Sequence, residues 1–420
     1  MLSKQSYLEV IDMSKRFAKK KDEHQSLSSF AQTTAHPRIR TSARQSQRAF
    51  WKNKRVFLTG HTGFKGAWLS IWLTSMGARV CGYALKPNTK PSLFTLAGIG
   101  KLLKHNIGDI RSEKKLKSAL KMFKPEIVIH MAAQPLVRQS YKDPVETFQV
   151  NVQGTVNLLE AARSCGTVRV ILNITTDKVY ENLEKHHKGY REGEKLGGHD
   201  PYSASKACSE IVTASYRNSF FNVNDFKNHK VAVATARAGN VIGGGDWAND
   251  RLIPDCVNAV LNGKRIEIRN PGATRPWQHV LEPLGGYLLL CERLFRNGPK
   301  YSGAWNIGPD SKDCKPVGWV ASEFCGLWGS KKSCAIQAGR HPHEAHFLKL
   351  DNAKAKKQLG WHPKWDIETA LKKVVEWNIN VLNGVDAREE CLRQIYEFEH
   401  LTRRGTDARM RKSENLKRRK

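Results

Sequence analysis

Two short stretches gather residue types that could move protons. The first is "NITTDKVYEN", Asn173–Asn182, directly after the mostly apolar run Val168–Leu172. Two threonines, an acid, a lysine and a tyrosine meet where a buried strand should end. The stretch reads either as a polar turn or as part of a site. The second is "DPYSASKACSEIV", which begins at Asp200. Its Tyr202 and Lys206 are four residues apart at the start of a helix, so they share one face. A nearby ammonium lowers a phenol's pKa. A tyrosine prepared in that way can take a proton from an alcohol.

A glycine-rich segment, "TGHTGFKGAWL" at Thr59–Leu69, follows the first strand-like run and opens a helix. Gly60, Gly63 and Gly66 have the spacing G-x-x-G-x-x-G. The pattern suits a tight turn, close approach of backbone to a pyrophosphate, and amides at a helix N-terminus facing the anion. Its place, first in a strand–helix–strand series, is the context a dinucleotide site needs. Thr62, Phe64 and Lys65 complete the loop. A bound oxidised nicotinamide would add a second positive charge beside Tyr202. A carboxylate at the end of the second strand would mark NAD through the ribose 2′-hydroxyl. "GYALKPNTK" has none there, so local chemistry leaves NAD and NADP open. Asp109 and Ile110, after the third strand, are expected on the adenine side. Ala132, Ala133 and Gln134, after the fourth, are expected beside the nicotinamide.

The elements that must position these residues alternate. Strands are expected at 55–60, 79–85, 104–107, 126–132, 168–174 and 230–237. Helices are expected at 66–77, 112–123 (with Ser112 as N-cap), 144–164 and 201–221. Such alternation predicts an α/β fold, a Rossmann-like doubly wound parallel sheet with helices on both faces. After residue 240 the pattern loosens, with helices near 251–262, 280–296 and 366–382. That predicts a smaller, mostly helical C-terminal substrate lobe. The divisions read from the chain are a basic flexible extension over 1–48, a dinucleotide-binding domain over 49–240, a substrate lobe over 241–395 from which strands can return to the main sheet, and a basic tail over 396–420.

Composition sets bounds. Seventy Lys and Arg against 39 Asp and Glu give a net charge of +31, which attracts polyanions of any kind. No aromatic-basic signature of an RNA module is visible. A nucleic-acid-binding protein on this scaffold remains the reading from a different class, and no specific nucleic acid is expected. The basic ends could also anchor the chain at an anionic membrane surface. No apolar run reaches the ~18–20 residues of a membrane span, and the first 20 residues lack the apolar stretch of a secretory signal. The Arg- and Ser-rich start is reminiscent of a transit peptide, against which Glu9, Asp12, Asp22 and Glu23 count. A short helix is expected over 7–20. Nine scattered cysteines without a Cys-x-x-Cys pair point to reduced thiols and a cytoplasmic setting. "RHPHEAH" holds His341, His343 and His346. The chemistry outlined above needs no metal, and none is expected.

The chain resembles the nucleotide-sugar 4,6-dehydratases among the extended short-chain dehydrogenase/reductases. The resemblance spans about residues 49–395. It rests on "VFLTGHTGFKGAWLS", "HMAAQPLVRQSY", "NITTDKVYEN", "DPYSASKACSE", "ARAGNVIGGGDWANDRLIPD", "RPWQHVLEPLGGYL" and "HEAHFLKLDNAKAKKQLGW". It implies NAD as a tightly held cofactor, oxidation of the hexose at C4, loss of water across C5 and C6, and return of the hydride to C6. It implies that Tyr202 is the base, that Lys206 holds the ribose, that Thr176 bonds near O4, and that Asp177 protonates the departing C6 oxygen. In related dTDP-glucose enzymes a glutamate follows the aspartate and removes the C5 proton. Here that position is Lys178. Elimination needs one group that gives a proton and one that takes one, and a lysine can take it only if its pKa falls. Lys178 is therefore the base, a support for the enolate, or a surface turn residue. The resemblance also implies substrate contacts from Arg138, Asn240, Arg251, Arg275 and His279, and a homodimer joined through the helices near 144–164 and 201–221. Another dTDP- or GDP-sugar dehydratase and a 4-epimerase are the neighbouring alternatives. The acid after Thr176 favours dehydration, because a simple epimerase has no leaving group to protonate.

Overall fold

Apolar residues fill both faces of the first strand, β1 (Arg55–Thr59), where Val56, Phe57 and Leu58 are fully buried. That two-sided burial marks a central parallel strand. In the computed structural model, which describes residues 47–184, 189–329, 334–336 and 345–401, β1 lies between β2 (Arg79–Ala84) and β4 (Ile127–His130). With β3 (Lys104–Ile107), β5 (Val170–Ile174), β6 (Ala232–Arg237) and β10 (Gly303–Asn306) it forms a seven-stranded sheet in the order β10-β6-β5-β4-β1-β2-β3. Every pairing in it is parallel. The order reverses between β1 and β4. This is the switch point of a doubly wound sheet, outside whose strand ends ligands bind.

Alternate strand residues feed two cores. Val56, Leu58, Ile129 and Leu172 pack with the helices Phe64–Ser75, Leu281–Arg296 and Ala387–His400. Phe57, Val128 and Ile171 pack with Glu113–Phe123 and Gly154–Arg163. A third core unites Ile253, Ile266, Ile268, Phe324 and Leu371 in the C-terminal region. There the helices Leu252–Leu261, Val317–Trp328 and Ile367–Leu382 enclose two small sheets. One has β9 (Thr274–His279) between β7 (Asn240–Ile242) and β11 (Cys314–Pro316); the other pairs β8 (Ile266–Ile268) with β12 (Cys334–Ile336).

Several expectations are refined. The helix expected over 144–164 is broken by a π turn at Gln149–Gln153. There Asn151 Oδ1 accepts from Gln134 N at 2.9 Å, and its Nδ2 donates to Ser205 Oγ at 2.9 Å. Ser112 caps its helix by position only, for its side chain accepts no cap hydrogen bond. Two segments after residue 240 return to the main sheet: the helix Leu281–Arg296 packs against β5 and β6, and β10 pairs with β6. The tail expected from residue 396 starts inside the last helix, where Phe398 is buried. Residues 47 and 48 belong to a short helix at 47–51, and Arg48 pairs with Glu399 at 2.8 Å. The helix expected over 7–20, the rest of the basic ends, and His341 and His343 lie outside the described residues.

The sheet is tied to the helix Pro201–Ser219 by a buried ion pair. Arg237 on β6 donates to Glu210 at 3.0 and 2.8 Å, and both side chains are 3% exposed. Glu210 also accepts from Thr175 Oγ1 at 2.5 Å and Thr235 Oγ1 at 2.7 Å. Removing one partner strands the other charge in the core. Glu210→Ala is expected to cost about 3–5 kcal/mol, read as a lower urea midpoint at unchanged slope.

Candidate active site

The glycine loop turns at Gly60, whose φ is +75° and whose Cβ would lie 2.7 Å from Ala132 N. A Cβ on Gly66 would lie 2.1 Å from Gly60 O. Neither position admits a side chain without backbone movement. Gly63 precedes the helix Phe64–Ser75, and a Cβ there would meet nothing closer than Gly60 O at 3.5 Å. Its bareness leaves open the approach to the helix amides. Across the switch point, Thr59 Oγ1 accepts from Met131 N at 3.0 Å and Ala132 N at 3.1 Å. A cavity of about 270 Å³ follows, lined by Gly60, Thr62, Gly63, Phe64, Lys65 and Gly66 on one side and by Asp109, Ile110, Ala132 and Ala133 on the other. Asp109 is paired with Arg111 at 2.6 Å, which holds its carboxyl below the usual range. The bare cradle, the open helix terminus and the acid at the far end fit a dinucleotide.

Gln134 does not join them. Its side-chain amide donates to Leu136 O at 3.1 Å and Thr147 Oγ1 at 2.9 Å, and its oxygen accepts from Leu136 N at 2.7 Å. The loop's own backbone consumes the side chain, so it is not available to a nicotinamide.

A second cleft, of about 570 Å³, shares Phe64, Lys65 and Arg251 with the first. Thr176, Asp177, Lys178, Tyr202, Asn240 and Arg275 line it, as does Arg138. The end of β5 sets out the first three. Thr176 caps a short turn, Asp177–Val179, by accepting from Lys178 N, and donates to Asp177 Oδ1 at 2.9 Å. Asp177 Oδ2 is buried and has no partner among the described residues. Burial raises the pKa of this carboxyl, while the charges of Lys178 and Arg275 and the Thr176 bond act the other way. A carboxyl that keeps its proton can donate it. Lys178 is half-buried at the cleft wall.

Tyr202 enters on the first turn of its helix, which starts after Asp200. Asp200 accepts from Ser203 N at 3.0 Å, and Pro201 takes the first helical position. The phenol is hydrogen-bonded to Thr176 and is pushed up to about 12, first by burial and then by the charge of Asp177. The Thr176 bond and Arg251 oppose that rise. This corrects the expectation that Lys206 lowers the phenol. Lys206 instead donates to Ile174 O at 2.9 Å, and burial brings its own pKa down to about 8. It ties the helix to the end of β5.

Arg251 precedes the helix Leu252–Leu261 and pairs with Asp246 at 3.0 Å. Arg138 pairs with Asp250 at 2.7 Å. Arg275 is 4% exposed and donates to Thr274 O at 3.1 Å. Planar guanidiniums held in this way suit a diphosphate. His279 is the exception. It is fully buried behind the cleft, between Trp68 at 6.0 Å and Trp365 at 4.8 Å. Its Nδ1 accepts from Leu281 N at 3.3 Å, and burial lowers its pKa to about 3. It packs the end of β9 and cannot contact substrate. His346 donates its backbone N–H to Glu184 at 2.8 Å. Among the described residues, no group of three or more His, Cys, Asp or Glu could hold a metal ion.

Sequence reasoning missed the pair Glu210–Arg237 and the acids Asp246 and Asp250 that hold the cleft's arginines. Glu210 carried a signal, since it lies four residues after Lys206 on the same helix face.

The model of the NAD dependent epimerase/dehydratase family matches residues 56–308. The chain is 51% identical over 355 residues to a CDP-glucose 4,6-dehydratase of Salmonella typhimurium, covering 84% of this chain and 99% of that one. It is 26% identical to a probable dTDP-glucose 4,6-dehydratase of Sinorhizobium fredii, over 77% of this chain and 92% of that one. Its fold is similar to a dTDP-glucose 4,6-dehydratase of Streptomyces venezuelae solved with NAD and TYD bound (TM-score 0.66, 23% identity, 77% and 96% covered). It is also similar to a UDP-glucose 4-epimerase of Thermotoga maritima (TM-score 0.68, 21% identity, 78% and 99% covered).

Proposed function

The chain belongs to the NAD dependent epimerase/dehydratase family, and we propose that it converts CDP-glucose to CDP-4-keto-6-deoxyglucose with loss of water. One observation carries the reading. A buried Asp177, whose carboxyl burial pushes above its ordinary value, shares Thr176 with the phenol of Tyr202 in a cleft continuous with the dinucleotide cradle.

When bound, the oxidised nicotinamide of NAD supplies a reversible acceptor for the C4 hydrogen, which is later returned to C6, and a positive charge beside the phenol. Gly60, Gly63, Gly66 and the following helix amides would hold its pyrophosphate. Tyr202 takes the proton of the C4 hydroxyl, and Thr176 holds that oxygen in line. The resulting ketone acidifies C5. Lys178, once its ammonium has given up its proton, takes the C5 proton and leaves an enolate; as the enolate collapses, its electron pair forms the C5–C6 double bond and the C6–O bond breaks. Asp177 gives its proton to that oxygen, which leaves as water, and C5 regains a proton from Lys178 when C6 receives its hydrogen. Arg251 and Arg275 hold the diphosphate.

Lys178→Ala is expected to slow exchange of solvent deuterium into C5 by about 10²-fold or more, read by mass spectrometry. Exchange at the normal rate would remove Lys178 from the base role.

The product has the chemistry of a precursor to the deoxysugars of surface polysaccharides, including O-antigen and lipopolysaccharide. A homodimer is supported by Val145, 65% exposed, Ile211, 56% exposed, and Phe148 on the two helices expected to pair. A reducing, cytoplasmic setting is supported by Cys81, Cys165, Cys208, Cys256, Cys291, Cys314, Cys325 and Cys391, which are free thiols. Among the described residues no helix is long and apolar enough to cross a membrane.

The test is turnover of the purified full chain with CDP-, dTDP-, UDP- and GDP-glucose, read by the alkaline absorbance of the keto product. CDP-glucose should give product. Salt-sensitive RNA binding with no turnover of any sugar would refute the reading.

A further inference from the structure

The third part of the substrate, its base, needs a wall of its own, and the cleft has one that no step above uses. Strand β8 alternates: Ile266 and Ile268 are buried in the C-terminal core, and Glu267 between them is exposed. Glu267, Arg269 and Asn270 all line the substrate cleft. Among the described residues Glu267 makes no hydrogen bond or ion pair. Arg269 is held in place by Asp250, donating to its backbone oxygen at 3.2 Å and its carboxylate at 3.4 Å.

Topology orders the parts of the ligand. The hexose meets Thr176 and Tyr202 at the end of β5, next to the dinucleotide cavity. The diphosphate meets Arg251 and the N-terminus of the helix Leu252–Leu261, whose first residues line the same cleft. Strand β8 follows that helix and packs beside it. It belongs to the small sheet, away from the catalytic strand. What remains of the ligand there is the ribose and the base.

An unpaired carboxylate selects the chemistry it faces. It accepts hydrogen bonds and repels acceptors. Cytosine offers the 4-amino donor, with acceptors at N3 and O2. Uracil and thymine offer an acceptor, O4, in place of the amine. The row Glu267, Arg269, Asn270 supplies one acceptor and then donors, which complements cytosine and opposes the other two. We infer that Glu267 reads the 4-amino group of cytosine and sets the preference of this site for a cytidine nucleotide. The inference rests on the proposed CDP-sugar reading. A ribose contact is the competing use of Glu267, but the ribose of CDP and of UDP is the same, so such a contact changes both ligands alike.

The experiment measures Kd for CDP and UDP by calorimetry, and kcat and KM for CDP-glucose and UDP-glucose, on the full chain and on E267Q and E267A. The unchanged chain should prefer CDP over UDP by about tenfold or more, and E267Q, whose amide can donate to O4, should narrow that to about threefold or less. The loss should appear in KM, with kcat for CDP-glucose within about twofold because the contact is remote from the reacting carbons. E267A should weaken CDP and leave UDP nearly unchanged. The inference is overturned if the unchanged chain shows no preference, if E267Q keeps it, or if both ligands weaken together. Turnover of CDP-glucose without any dependence on Glu267 sinks this inference and leaves the proposed function standing. A Glu267-dependent preference for CDP without turnover of CDP-glucose does the reverse.

Discussion

Tyr202→Phe lowers kcat for dehydration of CDP-glucose by about 10²–10⁴-fold, with KM changed by no more than a few-fold. The ring still fills its place against the cleft, so binding survives. What is lost is the oxygen proposed to take the C4 hydroxyl proton. The same oxygen predicts a rising limb in the pH–rate profile. In the free protein the phenol is pushed up to about 12 by burial and by the charge of Asp177. A base works in its ionised form, so the rate should climb with pH while the phenol titrates. The positive charge of bound nicotinamide moves that limb to lower pH. Tyr202→Phe should remove it. Steady-state kinetics between pH 6 and 10 of both proteins checks the point, and a variant with a normal rate would refute the assignment.

Asp177→Asn should be comparably severe, about 10²–10⁴-fold in kcat, for the opposite reason. The amide keeps the shape, and an Asn here can still accept the Thr176 bond that Asp177 Oδ1 accepts at 2.9 Å. It has no proton of carboxylic acidity to give to the C6 oxygen. Burial raises the Asp177 carboxyl above its ordinary value. An acid works in its protonated form, so the rate should fall as pH rises through that raised pKa. The falling limb should vanish in Asp177→Asn. Because C5 loses its proton before the C6 oxygen leaves, substrate recovered from the variant in heavy water should still carry deuterium at C5. A variant within about threefold of the normal rate, or one with the falling limb intact, would contradict the acid role.

Most of the central sheet was legible because β1, β2, β4, β5 and β6 are largely apolar runs between turn residues; β3 is a short polar run with no buried residue, and β10, four residues at the sheet edge, has no such pattern to mark it. Gly60 and Gly66 were legible because their spacing matches a steric need that the structure makes explicit: any Cβ there strikes backbone. Thr176, Asp177 and Tyr202 stood out because polar residues gathered at the ends of apolar elements. Where the reading failed, side-chain direction and environment decided. His279 lies on a strand whose residues from Arg275 onward are all buried, so its side chain packs against Trp68 and Trp365 instead of facing substrate. Gln134 looked placed for the nicotinamide, but the bend after β4 needs its amide for Leu136 and Thr147. The direction of the Tyr202 shift could not be read from Tyr-x-x-x-Lys. Spacing puts Lys206 on the same helix face, yet its ammonium is turned to Ile174 O, and burial dominates the phenol. The bonds that Asn151 makes from the π turn, and the partner of Glu210, Arg237, lie far off in the chain, so the helical spacing that marks Glu210 does not say what it pairs with.

The central claim is that one site oxidises C4, expels the C6 oxygen and repays C6 with the hydrogen taken from C4. CDP-glucose deuterated at C4 tests it most directly, with the purified chain and the product analysed by NMR. The account predicts a 4-keto-6-deoxy product that carries the deuterium on C6. A 6-deoxy product with the label lost to solvent, or a labelled sugar epimerised at C4 with its C6 hydroxyl intact, would contradict it.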